Sequence, residues 1–287
     1  MKPRLLITGA GGLVGQTWIR HLASLPAAPE YLALGHQQLD IADEDQVREV
    51  FARFRPHYVI NAAAYTQVDQ AETEREAAFR ANVTGAEILA RMAERYGSIL
   101  LHYSTDYVFD GRRRIPYLED DPTGPLNYYG YTKCLGEEKI RALTERHFII
   151  RTAWVYGGFG RNFIRMFLKL ASENKVLRFV NDQTGSPTAA DDLVAFSWHL
   201  IRENARLFGT YHCSHLGEAT RYYQALRIAR FMDLPVEVLP VSSDFFRPKA
   251  RRPAYSVLSK RKIEEVFGWK PKDWETGLEQ ILKKYYR

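Results

Sequence analysis

The sequence predicts an α/β protein built on a doubly wound parallel sheet, with a smaller domain interleaved with it towards the C-terminus. Short apolar runs alternate with helical periodicity through the first half of the chain, which is typical of parallel βαβ units. A glycine-rich turn follows the first apolar run. Polar and aromatic residues follow the ends of later runs, where ligands bind to such sheets.

The order of the elements follows from these patterns. Strands are expected at residues 4–8, 31–34, 58–61, 98–104 and 148–151. Apolar residues recur every three to four positions from Leu13, over 44–55, over 77–96 and from Tyr129 to about Leu143, which predicts helices. Beyond Ala153 the regularity loosens, with helices at 162–173 and 191–204 on either side of a turn-rich stretch.

These patterns divide the chain into two expected domains. Residues 1–153 form a dinucleotide-binding domain of Rossmann type, to which later segments such as 177–215 return. Residues 154–287 form mainly a substrate-binding lid. The chain length of 287 residues is sufficient for this arrangement.

Composition narrows the class of protein. A hydrophobic content of 46% and a charged content of 26% are those of a globular protein. Cys134 and Cys213 match no metal-ligand spacing, which favours a reduced, cytoplasmic protein. No apolar run is long enough to span a membrane. Residues 247–287 hold 12 Lys and Arg against 5 Asp and Glu; without a nucleic-acid-binding motif, this excess favours a small anionic ligand.

The glycine-rich turn predicts a nicotinamide dinucleotide site. Gly9, Gly12 and Gly15 lie between a strand and a helix, where they allow a tight turn, a close approach to a pyrophosphate and close helix packing. The stretch that follows the second strand, residues 34–37 with His36, lacks the carboxylate that binds the ribose of NAD, so we expect NADPH or NADH, with a preference for NADPH. Asp40 is a candidate for the adenine amine.

Tyr129 and Lys133 are a candidate proton-transfer pair. Four residues apart on a predicted helix, they share one face, and an ammonium beside a phenol lowers its pKa. The spacing alone is also compatible with an ordinary helix. Thr105, at the end of the fourth strand, could donate to a carbonyl oxygen that gains negative charge as hydride arrives, or could simply stabilise a turn.

Taken together, these residues resemble the extended short-chain dehydrogenase/reductase family, and within it the dTDP-4-dehydrorhamnose reductases. The similar stretches are residues 61–72, 104–111, 129–137, 151–157, 181–188 and the pair Arg252-Pro253. The resemblance implies hydride delivery from NAD(P)H to the C4 ketone of dTDP-4-dehydro-6-deoxy-L-mannose, giving dTDP-L-rhamnose. It implies that Tyr129 donates the proton, that Lys133 lowers its pKa and holds the nicotinamide ribose, and that Thr105 orients the keto oxygen.

The motifs and the resemblance together define two predicted sets of binding residues. The cofactor set is Gly9, Gly12, Leu13, Val14, Gly15, His36, Asp40, Ile41, Ala63, Ala64, Tyr65, Tyr103, Tyr129 and Lys133. The set for the dTDP-sugar is Thr66, Val68, Thr105, Asp106, Tyr107, Tyr129, Trp154, Asn162 and Arg252. The basic C-terminal part would then face the diphosphate.

The resemblance also raises the question of a metal. Some members of the family carry a glutamate after the glycine motif that contributes to a magnesium site between subunits. This chain has Gln16 there, with Asp191 at a second possible ligand position. We therefore expect no metal site, and a monomer or a homodimer without a metal bridge.

Other functions share parts of this pattern. A sugar-nucleotide dehydratase needs an acid and a base after the threonine, and here Tyr107 stands where the base would be. A non-catalytic NADP-binding regulatory subunit, like that of methionine adenosyltransferase, and a 4-ketoreductase of another dTDP-sugar both stay open at this point.

Overall fold

A computed structural model describes residues 2–287 of the chain. Its central feature is a six-stranded, all-parallel sheet with strand order β10-β5-β4-β3-β1-β2. These strands are Arg4–Thr8 (β1), Glu30–Leu34 (β2), Tyr58–Asn61 (β3), Ile99–Thr105 (β4), His147–Thr152 (β5) and Gly209–His212 (β10). The predicted doubly wound parallel sheet is confirmed.

Helices connect these strands. They are Leu13–Ala23 (α1), Glu44–Phe54 (α2), Val68–Ala71 (α3), Arg75–Phe79 (α4), Gly85–Tyr96 (α5), Tyr128–Leu143 (α6), Phe163–Glu173 (α7), Ala190–Arg202 (α8), Arg221–Phe231 (α9), Arg261–Phe267 (α10) and Trp274–Tyr285 (α11). Two 3₁₀ turns lie at Asp106–Val108 and Ser243–Phe245. No helix within residues 2–287 has the length and apolar character needed to cross a membrane.

Six short strands complete the secondary structure. They form three two-stranded sheets, in which Val155–Tyr156 (β6) pairs with Thr188–Ala189 (β9), Val176–Val180 (β7) with Glu237–Val241 (β12), and Thr184–Gly185 (β8) with Ala219–Thr220 (β11). A separate hydrophobic cluster, including Ile164, Phe167 and Leu278, packs in this C-terminal part. The division of the chain at residue 153 stays a proposal.

The order of the strands determines where a ligand can bind. The chain leaves β1 to one side for β2 and returns to the other side for β3, so the direction of winding reverses between β1 and β3. The carboxyl ends of the strands on either side of such a reversal form a crevice. Two core clusters, on opposite faces of the sheet, hold these strand ends in place.

One predicted helix differs from its expected form. The segment expected as a single helix over 77–96 contains one π-helical stretch, Arg80–Thr84, between α4 and α5. Such wide turns are frequent at functional sites. Within this turn, the side chain of Asn82 bonds the backbone N–H of Tyr65 (2.9 Å) and its carbonyl oxygen (3.1 Å). The turn is thereby joined to the loop after β3.

Candidate active site

A cavity of about 510 Å³ opens at the carboxyl ends of β1, β2 and β3. Eight residues of the predicted cofactor set line it, namely Gly9, Gly12, His36, Asp40, Ile41, Ala63, Ala64 and Tyr65. Six further lining residues lie outside that predicted set, namely Gly11, Leu39, Ala62, Ala77, Arg80 and Ala81. The cavity therefore combines the glycine turn with the small residues that end β3.

The glycine turn leaves the floor of this cavity free of side chains. Gly9 has a φ of 67°, in the left-handed region, and a Cβ there would lie 2.5 Å from the backbone nitrogen of Ala63. The N–H of Gly12 donates to the carbonyl of Gly9 (2.9 Å), which closes the turn. Helix α1 then begins at Leu13 without a side-chain cap, so its first N–H groups are free to face an anion. These features fit a dinucleotide.

Asp40 and Arg80 form an ion pair in the wall of the cavity. Nη2 of Arg80 donates to Oδ2 of Asp40 at 2.6 Å, and the N–H of Ala42 donates to Oδ1 (2.9 Å). Burial alone would raise the pKa of Asp40, but these donors bring it below its ordinary value. Arg80 belongs to the π-helical turn, so a segment about forty residues further along the chain contributes the cation in this wall.

Six predicted cofactor residues are not part of the cavity lining, namely Leu13, Val14, Gly15, Tyr103, Tyr129 and Lys133. Leu13, Val14 and Gly15 begin α1, and Gly15 packs against the backbone of Ala10. The hydroxyl of Tyr103 is bonded on the other side of the sheet, so a contact of Tyr103 with the cofactor stays a prediction. Its hydroxyl accepts from Nε1 of Trp18 and donates to Oγ of Ser197, both at 2.8 Å, in the hydrophobic core. Side chains alternate along β4, so Tyr103 faces away from His102.

Thr105 and Tyr129 meet where β4 ends and α6 begins. Asn127 caps α6 by accepting from the N–H of Gly130 (2.8 Å), which places Tyr129 in the first turn. Burial raises the pKa of Tyr129, while its hydrogen bond with the Thr105 hydroxyl acts in the opposite direction. The Thr105 hydroxyl also lies 3.0 Å from Oδ1 of Asp106.

Asp106 is a buried acid beside this pair. It is 2% exposed, and Oγ of Ser256 donates to its Oδ2 at 2.6 Å. Burial raises the pKa of Asp106 to about 6, against the effect of the hydrogen bonds from Ser256 and Thr105. The carboxyl group therefore changes its charge near neutral pH.

Lys133 lies one turn beyond Tyr129 and is 2% exposed. Its Nζ donates to the carbonyl of Tyr103 (2.7 Å) and contacts Nε2 of His102 (3.0 Å). The expectation that the lysine lowers the pKa of Tyr129 stays a prediction. Burial of the phenol raises its pKa, and the lysine amine is held at the end of β4.

Two arginines and two aromatic rings form the other side of the site. The guanidinium carbon of Arg221 lies 3.8 Å from the ring centroid of Trp154, whose backbone is left-handed with φ 50°. Arg252 bonds Asp69 through Nη2 to Oδ2 (2.6 Å), and it also interacts with Tyr107. Burial lowers the pKa of Arg221 to about 10. No sequence motif pointed to Arg221, which simply begins α9.

The other predicted substrate residues divide into two groups. Thr66 is exposed, and Val68 begins α3, the short helix that also contains Asp69. Asn162 caps α7 instead. Its Oδ1 accepts from Ile164 and Arg165, and its Nδ2 donates to the carbonyls of Gly157 and Phe159. The side chain is thus already used by the protein itself, which argues against the prediction that it binds the nucleotide.

The basic C-terminal segment does not act as one surface. Arg252 lies at the site, but Lys262 donates to the carbonyl of Thr210, and Lys284 pairs with Asp191. The expectation that the whole basic segment faces a diphosphate is therefore wrong.

Comparison with known proteins agrees with this geometry. The family described as the RmlD substrate binding domain matches residues 2–287. The chain belongs to the RmlD substrate binding domain family. The resemblance identified from the motifs is confirmed.

Three relatives of this RmlD-family chain cover almost its whole length. The spore coat polysaccharide biosynthesis protein SpsK of Bacillus subtilis is 42% identical over 98% of this chain and 97% of its own. The dTDP-4-dehydrorhamnose reductase of Aggregatibacter actinomycetemcomitans is 38% identical over 97% and 98%. The crystal structure of dTDP-4-dehydrorhamnose reductase from Bacillus anthracis in complex with NADP superposes with a TM-score of 0.95, at 38% identity, over 99% of this chain and 100% of that one.

The position of the possible metal site in this RmlD-family chain does not fit a divalent cation. Asp191 is paired with Lys284 and accepts from the hydroxyl of Tyr285 (2.9 Å). Gln16 donates its amide to the carbonyl of Gly11 (2.7 Å). Among residues 2–287, no group of three or more His, Cys, Asp or Glu side chains could hold a metal ion. The ammonium group of Lys284 thus already neutralises the carboxylate of Asp191.

Proposed function

We propose that this chain is an NADPH-dependent reductase that converts the C4 ketone of dTDP-4-dehydro-6-deoxy-L-mannose to the alcohol of dTDP-L-rhamnose. The observation that carries the proposal is the contact between Thr105, at the end of β4, and Tyr129, in the first turn of α6. The names of the reductase relatives, and the NADP in the structure from Bacillus anthracis, support the choice of substrate and cofactor.

In this proposal the protein supplies a proton and a place for the ketone. The bound cofactor supplies hydride to C4. Thr105 orients the keto oxygen, and Tyr129 donates its hydroxyl proton to that oxygen, leaving a phenolate. The raised pKa of Tyr129 keeps the phenol protonated before the reaction. Lys133 stabilises the phenolate when it carries a proton.

The diphosphate of the substrate would bind at the two arginines. Burial raises the pKa of Tyr107, and the charges of Arg221 and Arg252 both act in the opposite direction. The two guanidinium groups therefore lie on the same side of Tyr129 and Thr105 as Tyr107. Arg221 lies against Trp154 rather than against a carboxylate, and it bonds the neutral amide of Gln224 (3.0 Å). Its charge therefore stays available to an anionic ligand. Trp154 would cover the sugar, and Thr66 and Val68 would contact the nucleotide.

At the other end of the site, the cavity at β1 to β3 would hold the cofactor. His36 and Arg80 are the basic side chains in its lining, so they are the candidates for the 2′-phosphate of NADPH. Asp40 orients Arg80 and is already engaged by it, which replaces the expected contact of Asp40 with the adenine amine. We propose a cytoplasmic protein that acts as a monomer or homodimer.

The test is a reconstituted reaction. Purified protein, NADPH or NADH, and enzymatically generated dTDP-4-dehydro-6-deoxy-L-mannose are mixed, and the oxidation of the cofactor is followed by absorbance. We expect cofactor oxidation matched by formation of dTDP-L-rhamnose, identified by mass spectrometry and NMR. Absence of turnover with both cofactors would contradict the proposal. Turnover to a sugar of different configuration would contradict the choice of substrate.

A further inference from the structure

Asn127 binds two parts of the chain that lie far apart in the sequence. Its Oδ1 accepts from the N–H of Gly130 at 2.8 Å, and its Nδ2 donates to the carbonyl of Arg251, also at 2.8 Å. The first bond caps α6, the helix that carries Tyr129. Asn127 is 6% exposed, so both bonds are largely shielded from water. One amide group therefore joins the start of α6 to a segment near the C-terminus.

The two bonds fix the orientation of the Asn127 amide. A backbone N–H only donates and a backbone carbonyl only accepts. Turning the amide over would set its NH₂ group against the N–H of Gly130 and its oxygen against the carbonyl of Arg251. Because the amide is planar and rigid, a rotation that breaks one of these bonds also displaces the other. The helix cap and the contact with Arg251 therefore depend on each other.

The segment that Asn127 binds is held from a second side by α3. Asp69 accepts from the N–H of Ala250 at 3.0 Å and pairs with Arg252 at 2.6 Å. Burial alone would raise the pKa of Asp69, but these donors bring it below its ordinary value. The carboxylate is therefore charged at neutral pH and stabilises the position of residues 250–253, which we call the docked segment.

The docked segment ends in close backbone contact. Gly111 has a φ of 71°, in the left-handed region, and a Cβ there would lie 2.6 Å from Cα of Pro253. Pro253 is buried, whereas residues 244–249, which precede the docked segment, are exposed. The docked segment is thus the point at which an exposed loop returns to the body of the protein.

The start of α6 has one further contact with α3. The first N–H groups of a helix have no partner within it. That of Gly130 is satisfied by Asn127, and that of Tyr128 donates to Oε1 of Glu72 at 2.8 Å. Glu72 follows α3 directly, three residues after Asp69. Two routes therefore connect the docked segment with α6, one through Asn127 and one through α3.

We propose that Asn127 is a positioning residue that couples the docked segment to the first turn of α6, so that Tyr129 is fully oriented only while residues 250–253 are docked. The consequence for turnover rests on the proposed function. Arg252 belongs to the docked segment and is a proposed contact of the diphosphate. Binding of the dTDP-sugar by this segment is then linked to the orientation of the proton donor.

Amide hydrogen exchange, followed by NMR without substrate, measures this coupling. Asp69→Asn removes the charge that pairs with Arg252 and leaves Asn127 unchanged. We expect the exchange of the Ala250 amide to accelerate by about tenfold, the equivalent of one charged hydrogen bond, and that of the Gly130 amide to accelerate with it. Unchanged exchange at Gly130 would overturn the proposal.

A double variant separates the two routes. Asn127→Asp keeps a capping oxygen for Gly130 but has no N–H to donate to Arg251. In this background Asp69→Asn should no longer accelerate exchange at Gly130, because the connecting bond is already lost. The same acceleration in both backgrounds would show that the effect passes through α3, and the proposal would fail. If Asn127→Asp does not fold, Asn127→Ser takes its place, since serine caps without a charge.

Asp182→Asn is the matched control. Asp182 accepts from the backbone N–H and the hydroxyl of Ser243, at 2.8 and 2.6 Å, just before the exposed residues 244–249. The control removes a carboxylate at the other end of the same loop but leaves the bond between Asn127 and Arg251. Exchange at Gly130 should therefore equal that of the wild type. An acceleration as large as that in Asp69→Asn would indicate general loosening of the loop and would overturn the proposal.

Turnover provides a second measurement. Asn127→Asp should lower kcat by about three- to tenfold, the equivalent of one hydrogen bond, while the Kd for NADPH stays unchanged. A kcat equal to that of the wild type would overturn the link to Tyr129. The exchange measurements need no substrate. A wild-type protein without reductase activity would therefore contradict the proposed function alone, and unchanged exchange at Gly130 would contradict the coupling alone.

Discussion

The rings of Tyr107 and Tyr129 meet edge to face, with centroids 6.0 Å apart and planes inclined by 74°. This contact positions the Tyr129 ring from one side, while Thr105 bonds its oxygen. Gly130 makes the approach possible, because a Cβ there would lie 3.0 Å from the carbonyl carbon of Tyr107. The phenol ring of Tyr129 is thus held in one orientation by Tyr107 and Thr105.

Replacing Tyr129 tests whether this phenol supplies the proton. Tyr129→Phe keeps the ring contact with Tyr107 but removes the hydroxyl, so we expect kcat to fall by about 10²–10⁴-fold. Binding of NADPH, measured by fluorescence titration, should change little. Tyr131→Phe is the matched control, since Tyr131 is 46% exposed on the same helix. A fully active Tyr129→Phe variant would show that the proton comes from another group.

Arg80 tests the proposed cofactor site. Arg80→Leu removes a cationic side chain from the cavity lining, so we expect the Kd for NADPH to rise by about tenfold or more, the effect of one charged hydrogen bond. NADH has no 2′-phosphate and should lose less affinity. Arg91→Leu is the control, because Arg91 also pairs with a carboxylate, Glu44, but lies outside that lining. Equal losses for both cofactors would contradict a role at the 2′-phosphate.

Much of this site follows from local sequence rules. The glycine turn and the small residues after β3 are visible as short patterns, and parallel topology brings their strand ends together. Arg80 and Arg221 are not visible in this way, because each reaches the site through tertiary packing from an unremarkable helix position. The direction of the Tyr103 side chain is hidden for a different reason. In a strand buried on both faces, apolar residues do not reveal which alternate side chains face the ligand.

The ion pair between Glu137 and Arg151 should dominate the acid stability of the catalytic helix. Burial pushes the pKa of Glu137 upwards, but Arg151 brings it below its ordinary value. The stabilisation is therefore present above the unfolded pKa near 4.5 and lost as the pH falls through the lower folded value. Glu137→Gln should lower the free energy of unfolding by about 3–5 kcal/mol at pH 7, and by much less at low pH.

Urea denaturation at several pH values measures this difference. Glu138→Gln, at an exposed position on the same helix, is the control and should change the unfolding free energy by less than about 0.5 kcal/mol. A Glu137→Gln variant as stable as the wild type at neutral pH would show that the buried pair makes no net contribution.

Metal removal tests the assignment of Lys284 as the partner of Asp191. Because an ammonium already neutralises this carboxylate, reductase activity and the oligomeric state should be unchanged after treatment with EDTA. Added Mg²⁺ should have no effect on the melting temperature. A strict requirement for Mg²⁺, restored after chelation, would contradict this reading of the site.

Asp106 offers a test of electrostatics inside the site. Its pKa is raised to about 6 by burial, so its stabilising contribution is present below the unfolded pKa near 4 and lost as the pH rises through 6. Asp106→Asn resembles the protonated form and can still bond Ser256 and Thr105. We therefore expect the variant to exceed the wild type in unfolding free energy by roughly 2–3 kcal/mol at pH 8, with little difference at pH 4.

Urea denaturation at both pH values provides the measurement, and Asp110→Asn is the control. Asp110 also accepts from a hydroxyl, that of Tyr117 (2.7 Å), but its pKa is lowered by that bond, so its replacement should destabilise the protein as the pH rises rather than stabilise it. If Asp106→Asn is no more stable than the wild type at pH 8, the carboxylate is ionised there without a penalty. The charge would then have to be balanced within the site, for which Arg221 is the nearest candidate.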